Sequence, residues 1–520
     1  MTYRRVAAGV AVAFLGYLFL YPLARILGLS LGLEGAGGAF GEVLSNPGLR
    51  KALWFSVWQS AASVALTLVA AAPITWAVSR FRFPGRALAK ALVTAPFVLP
   101  TVVVASAFLS LGIGGSVWAI LAAHVFYNVA VVVRTVGGVW ARIDRSLFDA
   151  ARILGASPRQ VFWSLTLPLL RPALAASSAI VFLFTFTSFG VVLILGGLRY
   201  RTLEVEIWQQ TVVFLNLPAA AALAILQLVG VTAVLAWYSR YQERQSVGLE
   251  LAAEDRNLQR PGTLGQRLSV GVAVGGTLAA LSVPLVMLVA RSLHSGGAGW
   301  LYLMDPGPLA VTPGRAMVNS LLYALATALV AVTVGLCAST VIVSGKGRAA
   351  RWFDVVLMLP LGASAVTVGF GMLVALDWPV DLRATVVLVP LAHALVATPF
   401  VVRIVTPILR SVRAGLREAA AVLGASPWRV FREIDLPIAA RATAVGAGFA
   451  AAVSLGEFGA TAFIARPGTI TVPALIFRLL GRPGAVSYTG AMAMAVVLAL
   501  MVTLLIMLID RVRLGELGSF

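Results

Sequence analysis

Residues 149–168 read DAARILGASPRQVFWSLTLP, and residues 418–437 read EAAAVLGASPWRVFREIDLP. At a constant offset of 269 residues, 11 of these 20 positions are identical without a gap. The same offset pairs Arg134 with Arg403, His124 with His393, and Phe189-Gly190 with Phe458-Gly459. Farther upstream the offset is 264, matching Ser56 with Ser320 and Pro96 with Pro360. The chain therefore reads as two homologous halves, 1–240 and 267–520, joined by a polar linker at 241–266. Each half holds an even number of spans, so the duplication is parallel, with a pathway expected where the halves meet.

The solvent of these halves follows from composition. Of the 520 residues, 60% are hydrophobic and 12% charged, and mean hydropathy is +0.94. A soluble domain is nearer a quarter charged, whereas a bilayer core about 30 Å thick takes about 20 apolar residues as helix. Runs of that size recur and predict an all-α polytopic membrane protein. About twelve spans are expected, at 6–31, 52–79, 88–113, 117–138, 172–198, 215–238, 268–292, 317–345, 352–376, 384–406, 440–465 and 487–510. A signal peptide at 6–31 is the lesser reading, because the run is long and no small-residue cleavage site follows.

The net charge of +20, from 40 basic and 20 acidic residues, would suggest nucleic acid on a soluble protein. Its placement excludes that here. With the N-terminus inside, most Lys and Arg fall on the cytoplasmic side, which puts both termini in the cytoplasm of a bacterial cell membrane. Clusters such as Arg80, Arg82, Arg86 and Lys90 read as topological and lipid-facing. Cys337, the single cysteine, excludes an intrachain disulfide.

The repeated segment then lies in a cytoplasmic loop between the fourth and fifth spans of each half. Gly155 suits the left-handed end of one short helix, Ser157 the cap of the next, and Pro158 its first turn. Gly424, Ser426 and Pro427 repeat the design. Leu167-Pro168 and Leu436-Pro437 are expected to break the chain before it re-enters the membrane. Cytoplasmic loops ordinarily vary most, so likeness between these copies points to a shared partner.

This segment resembles the coupling loop of permease subunits of binding-protein-dependent ABC importers, whose pattern is E-A-A, three residues, G, nine residues, then a segment ending in L-P. Glu418-Ala419-Ala420, Gly424 and Leu436-Pro437 meet it, as do Asp149-Ala150-Ala151, Gly155 and Leu167-Pro168 with Asp for Glu. The resemblance spans about 48–240 and 315–512 and implies a type I, MetI-like importer fold. It also implies two copies of a cytoplasmic ATPase, one against each loop, and an extracytoplasmic substrate-binding protein. ATP and Mg would be held by the ATPase, since this chain has no G-x-x-x-x-G-K-[ST] loop. No cofactor, metal or catalytic residue is expected in the chain itself.

Ionisable residues inside spans are costly and usually functional. His124 and His393 occupy equivalent positions, and Glu457 stands where the first half has Ser188. Both histidines read either as pathway-lining or as bonds between helices. Glu457 reads either as a charge offered to a cationic substrate or as packing. Phe184, Phe186, Phe189, Trp208 and Phe458 are aromatics able to stack on a heteroaromatic ring, or interface anchors. The stretches LAAHVFYNVAVVVR (121–134), SFG with LILGG (188–197) and TLEVEIWQ (202–209) are similar to thiamine permeases, with ferric-iron permeases next. An ion-coupled secondary transporter is the alternative class. It shares two six-span halves but has no use for a paired coupling segment.

Overall fold

A computed structural model describes residues 2–32, 39–197, 199–244, 257–304, 311–345 and 347–514. The central linker residues 245–256 lie outside the described residues. Helices, turns and one isolated bridge account for the described backbone. Among the described residues, ten helices are long and apolar enough to cross a membrane, and two bent pairs bring the total to twelve if each pair is one span.

In the first half, α1 is Arg4–Ser30 and α2 Pro47–Arg80; α3 (Arg86–Val98) and α4 (Thr101–Leu109) form a pair bent by 97°. Next come α5 (Val117–Trp140), α6 (Arg145–Ile153), α7 (Pro158–Phe186), α8 (Gly190–Leu195), α9 (Leu203–Trp208) and α10 (Leu217–Glu243). The second half repeats this order as α11 (Leu264–Ser292), α12 (Pro313–Ser344), the 94° pair α13 (Arg348–Pro360) and α14 (Ala365–Ala375), and α15 (Leu388–Ser411). It continues as α16 (Ala414–Val422), α17 (Pro427–Gly456), α18 (Thr461–Ile464), α19 (Val472–Leu480) and α20 (Ala485–Arg511).

Three sequence expectations are corrected. The runs at 88–113 and 352–376 are not straight spans. Leu99, held extended before Pro100, turns the first, and Ser364, capping α14 through Thr367 N at 2.9 Å, turns the second. The runs at 172–198 and 440–465 are likewise not continuous. α7 ends at Phe186 and α17 at Gly456. Beyond the first break α8 runs on until Leu195 O meets Gly115 N, and the chain then returns so that Thr202 Oγ1 donates to Ser188 O. α9 follows, with Val192, Leu195, Leu203 and Ile207 inaccessible. Irregular backbone at membrane depth survives only when enclosed by protein in this way. Hydropathy alone cannot see such breaks, because the residues on both sides are apolar.

The third correction concerns Leu167-Pro168 and Leu436-Pro437, which do not interrupt the chain. Helices α7 and α17 run through them on a π-helical turn, 162–166 and 431–435, in which Leu167 N and Leu436 N reach back to Phe162 O and Phe431 O. The wider turn accommodates a proline that has no N–H to give and whose ring would crowd the preceding turn.

The halves exchange their first helices. α1 packs on α12 and α14 of the second half, while α11 packs on α2, α3 and α4 of the first. Tyr17 Oη donates to Trp378 O at 3.2 Å and Arg291 Nε to Ser110 O at 3.2 Å. Each half is therefore clasped by a helix of the other, around a main core shared by both and two smaller apolar clusters beside it.

Candidate coupling segments and translocation pathway

The two repeated segments fold alike. Gly155 and Gly424 take φ of +83° and +80°, a conformation that costs any residue with a Cβ. Ala156 N and Ala425 N then return to Ala151 O and Ala420 O, at 3.0 and 2.9 Å, closing the ends of α6 and α16. Ser157 accepts from Gln160 N and Ser426 from Arg429 N, both at 3.3 Å, opening α7 and α17 with Pro158 and Pro427 in the first turn. Ala150 and Ala419 are exposed on the short helices. The acidic positions differ. Asp149 is held by Arg145 at 3.2 Å and Arg152 at 3.8 Å of its own helix, whereas Glu418 is exposed.

At the outer tip of each segment stands an apolar pair that sequence reading missed. Ile153 and Leu154 are each 86% exposed, and Val422 and Leu423 each 87%. They are the most exposed apolar side chains of the two segments, as expected of a candidate docking surface. The available signal was their exact correspondence at the 269 offset.

The pathway residues gather where the broken spans meet. Phe189 and Phe458 are equivalent positions, both buried, and they stack across the boundary between halves with centroids 5.4 Å apart and planes at 24°. Trp208 and Phe477, also equivalent, meet edge to face at 6.0 Å. Phe189 lies 6.5 Å from Trp208, and Phe458 lies 5.4 Å from Phe477. The four rings form one connected layer across the boundary between the halves. Gly190 permits this contact, since a Cβ there would meet Thr101 Oγ1 at 2.8 Å and Phe458 at 3.3 Å. Phe184 and Phe186 take no part; Phe184 packs on Phe97, and Phe186 on Phe182. Phe477 was not singled out, although its match to Trp208 was readable.

Beside each central phenylalanine sits a buried histidine cluster. His124 faces Ser63 Oγ at 3.1 Å and Ser188 Oγ at 2.9 Å, hydroxyls that serve either tautomer. His393 faces Ser454 Oγ at 2.8 Å, Thr461 Oγ1 at 2.8 Å and Glu457 Oε2 at 3.2 Å. Glu457 also accepts from Ala460 N at 3.1 Å and Thr461 N at 3.2 Å. Both clusters tie the fourth long helix of a half to the break in the fifth.

Two further buried carboxylates went unnoticed in the sequence. Glu206 accepts from Gln210 at 2.9 Å and lies 3.6 Å from Arg201. Glu204, fully buried, accepts from Gln227 of its own half and from Ser364 Oγ of the other at 3.1 Å. A period-two alternation in TLEVEIWQ hid them, because nothing in it says that both positions turn inward.

Comparison with known proteins agrees with this architecture. Residues 63–247 and 331–513 each match the family described as binding-protein-dependent transport system inner membrane component. The thiamine transport system permease protein ThiP of Brucella abortus is 28% identical, covering 99% of this chain and 97% of its own length. The ThiP of Salmonella typhimurium is 26% identical over 92% and 91%. A putative 2-aminoethylphosphonate transport system permease protein, PhnV of Salmonella paratyphi A, is 31% identical over 39% of this chain and 76% of its own length.

Proposed function

The chain belongs to the binding-protein-dependent transport system inner membrane components, and on that premise we propose that it imports thiamine or thiamine pyrophosphate, with ferric iron as the next candidate. As an ABC importer permease with both halves in one polypeptide, one copy engages two ATPase subunits, one at Ile153-Leu154 and one at Val422-Leu423. An external binding protein delivers the cargo to the face opposite the coupling segments. Both termini lie in the cytoplasm. The chain hydrolyses nothing and needs no cofactor, because ATP and Mg are bound by the partner.

The observation that carries this reading is the pairing of two equivalent exposed tips with one aromatic layer across the boundary between the halves. Closure of the ATPases moves α6 and α16, and with them the start of α7 and α17, whose far ends carry Ser188-Phe189 and Glu457-Phe458. The force thus reaches the aromatic layer through two continuous helices. Import requires that ATP binding favour one arrangement of these helices over the other. A thiazolium ring is cationic and flat, and four aromatic rings with Glu457 nearby suit such a cargo. Full-length sequence similarity to thiamine permeases supports the same choice.

The test is uptake by proteoliposomes holding the chain, its ATPase and its binding protein, with labelled thiamine, thiamine pyrophosphate and Fe(III) compared. Thiamine or its pyrophosphate is expected to accumulate only with ATP. Replacing both Phe189 and Phe458 by Ala should uncouple ATP hydrolysis from accumulation. Preferential uptake of Fe(III) would overturn the cargo assignment.

A further inference from the structure

We propose that the groove between α3 and α11 binds an anionic phospholipid of the leaflet nearest the coupling segments. The groove encloses about 920 Å³ and has two chemically distinct ends. At its mouth stand Arg82, Arg260 and Arg267, all exposed. Its trough is apolar, with Leu88 and Leu92 on one wall and Val274 and Leu278 on the other. Gly271 and Gly275 lie on the same face of α11, and no protein atom comes within 4 Å of a Cβ built at either. They deepen a trough that the described residues leave unfilled.

This polarity selects the occupant. A peptide or soluble anion would use the cationic mouth and leave the hydrocarbon-facing trough unused, whereas a phospholipid uses both. Basic pockets between membrane helices, on the side of an anionic leaflet, hold such headgroups. Arg82, read from sequence as topological, is here part of a shaped site.

The groove's mouth is also where the first coupling segment is braced. Arg82 N donates to Gln259 O at 2.7 Å and Gln259 N to Arg80 O at 2.9 Å, tying the end of α2 to the approach to α11. The Arg80 guanidinium in turn lies 4.5 Å above the ring of Phe148 in α6. A lipid seated on Arg82 and Arg260 therefore holds together the joint on which α6 rests.

The lipid site stands independently of the cargo. Short-chain phosphatidylglycerol is titrated into the purified full chain in neutral detergent and retention is read by native mass spectrometry, with phosphatidylcholine alongside. One phosphatidylglycerol should bind in preference to phosphatidylcholine. Replacing Arg82, Arg260 and Arg267 together by Gln should weaken it on the order of a hundredfold. Gly275→Leu, which fills the trough and leaves the charges, should also displace it. Equal retention by either variant, equal binding of phosphatidylcholine, or displacement by glycerol 3-phosphate at matching concentration would overturn the proposal.

Discussion

The two coupling segments have the same joint and different anchors. In the first, Phe148 is buried in α6 beneath Arg80 from the end of α2. In the second, the position equivalent to Phe148 is Arg417, which donates to Asp435 Oδ1 at 2.8 Å and to Leu409 O at 2.9 Å. The outward features, Gly155/Gly424, Ser157/Ser426 and the bared apolar pairs, are alike in both. The outward surface, which the proposed function assigns to the ATPase, is alike in both segments, whereas the surface that meets each half's own interior differs.

The largest effect should come from breaking what the segments share. Replacing Gly155 and Gly424 together by Val forces two β-branched residues into left-handed backbone, at about 1–2 kcal/mol each, and redirects both tips. ATPase capture and ATP-driven uptake should both fall to background, with membrane insertion unchanged by fractionation. Either single variant should lose more than half the activity, since both sites must be engaged. Full activity in one single variant would mean that the two segments are not used equally.

Breaking what they do not share should have smaller, unequal effects. Arg417→Ala removes a charge-assisted hydrogen bond worth about 2 kcal/mol and leaves Asp435 without its cation. Arg80→Gln removes a stacked cation worth about 1 kcal/mol. Amide exchange should therefore accelerate about thirtyfold in α16 for the first variant and about fivefold in α6 for the second. The reverse ranking would show that the aromatic anchor is the stronger one.

Much of this division was legible in the sequence. The duplication, the jointed helices at 149–168 and 418–437 and the membrane class all follow from local rules of capping, periodicity and charge. What was not legible needs chain reversal inside the bilayer. A window of apolar residues looks the same whether the helix continues past Phe186 or breaks there, with the chain returning to Ser188 at Thr202. The prolines misled for a related reason, since a π-turn upstream of Pro168 absorbs the missing donor without ending the helix. The stacking of Phe189 on Phe458 could have been anticipated, because equivalent residues near a pseudo-twofold axis meet their own counterparts. Glu204 could not, because its partner Ser364 lies 160 residues away in the other half.

That contact defines the subtlest difference between the halves. On one side of the boundary Glu204, Gln227 and Ser364 form a polar clasp. The equivalent positions on the other side are Pro473, Val496 and Pro100, and a Cβ built at Gly456 would touch the Pro100 ring at 3.4 Å. One side is held by a buried carboxylate clasp, whereas the other meets mainly through apolar contact, with hydrogen bonds at its outer edge from Tyr488 Oη to Leu109 O and from Arg291 Nε to Ser110 O. Glu204→Gln keeps an acceptor for Ser364, so thermal stability should change little. Glu204→Ala leaves the buried Gln227 amide without its acceptor, at about 1–3 kcal/mol, and should lower the melting temperature measurably. Pro473→Ala, the matching change on the apolar side, adds one first-turn N–H beside the unpartnered Thr471 Oγ1 that can accept it, and should shift it less. A larger shift for Pro473→Ala would place the stronger hold between the halves on the apolar side, and Glu204 would then be a passenger in the interface.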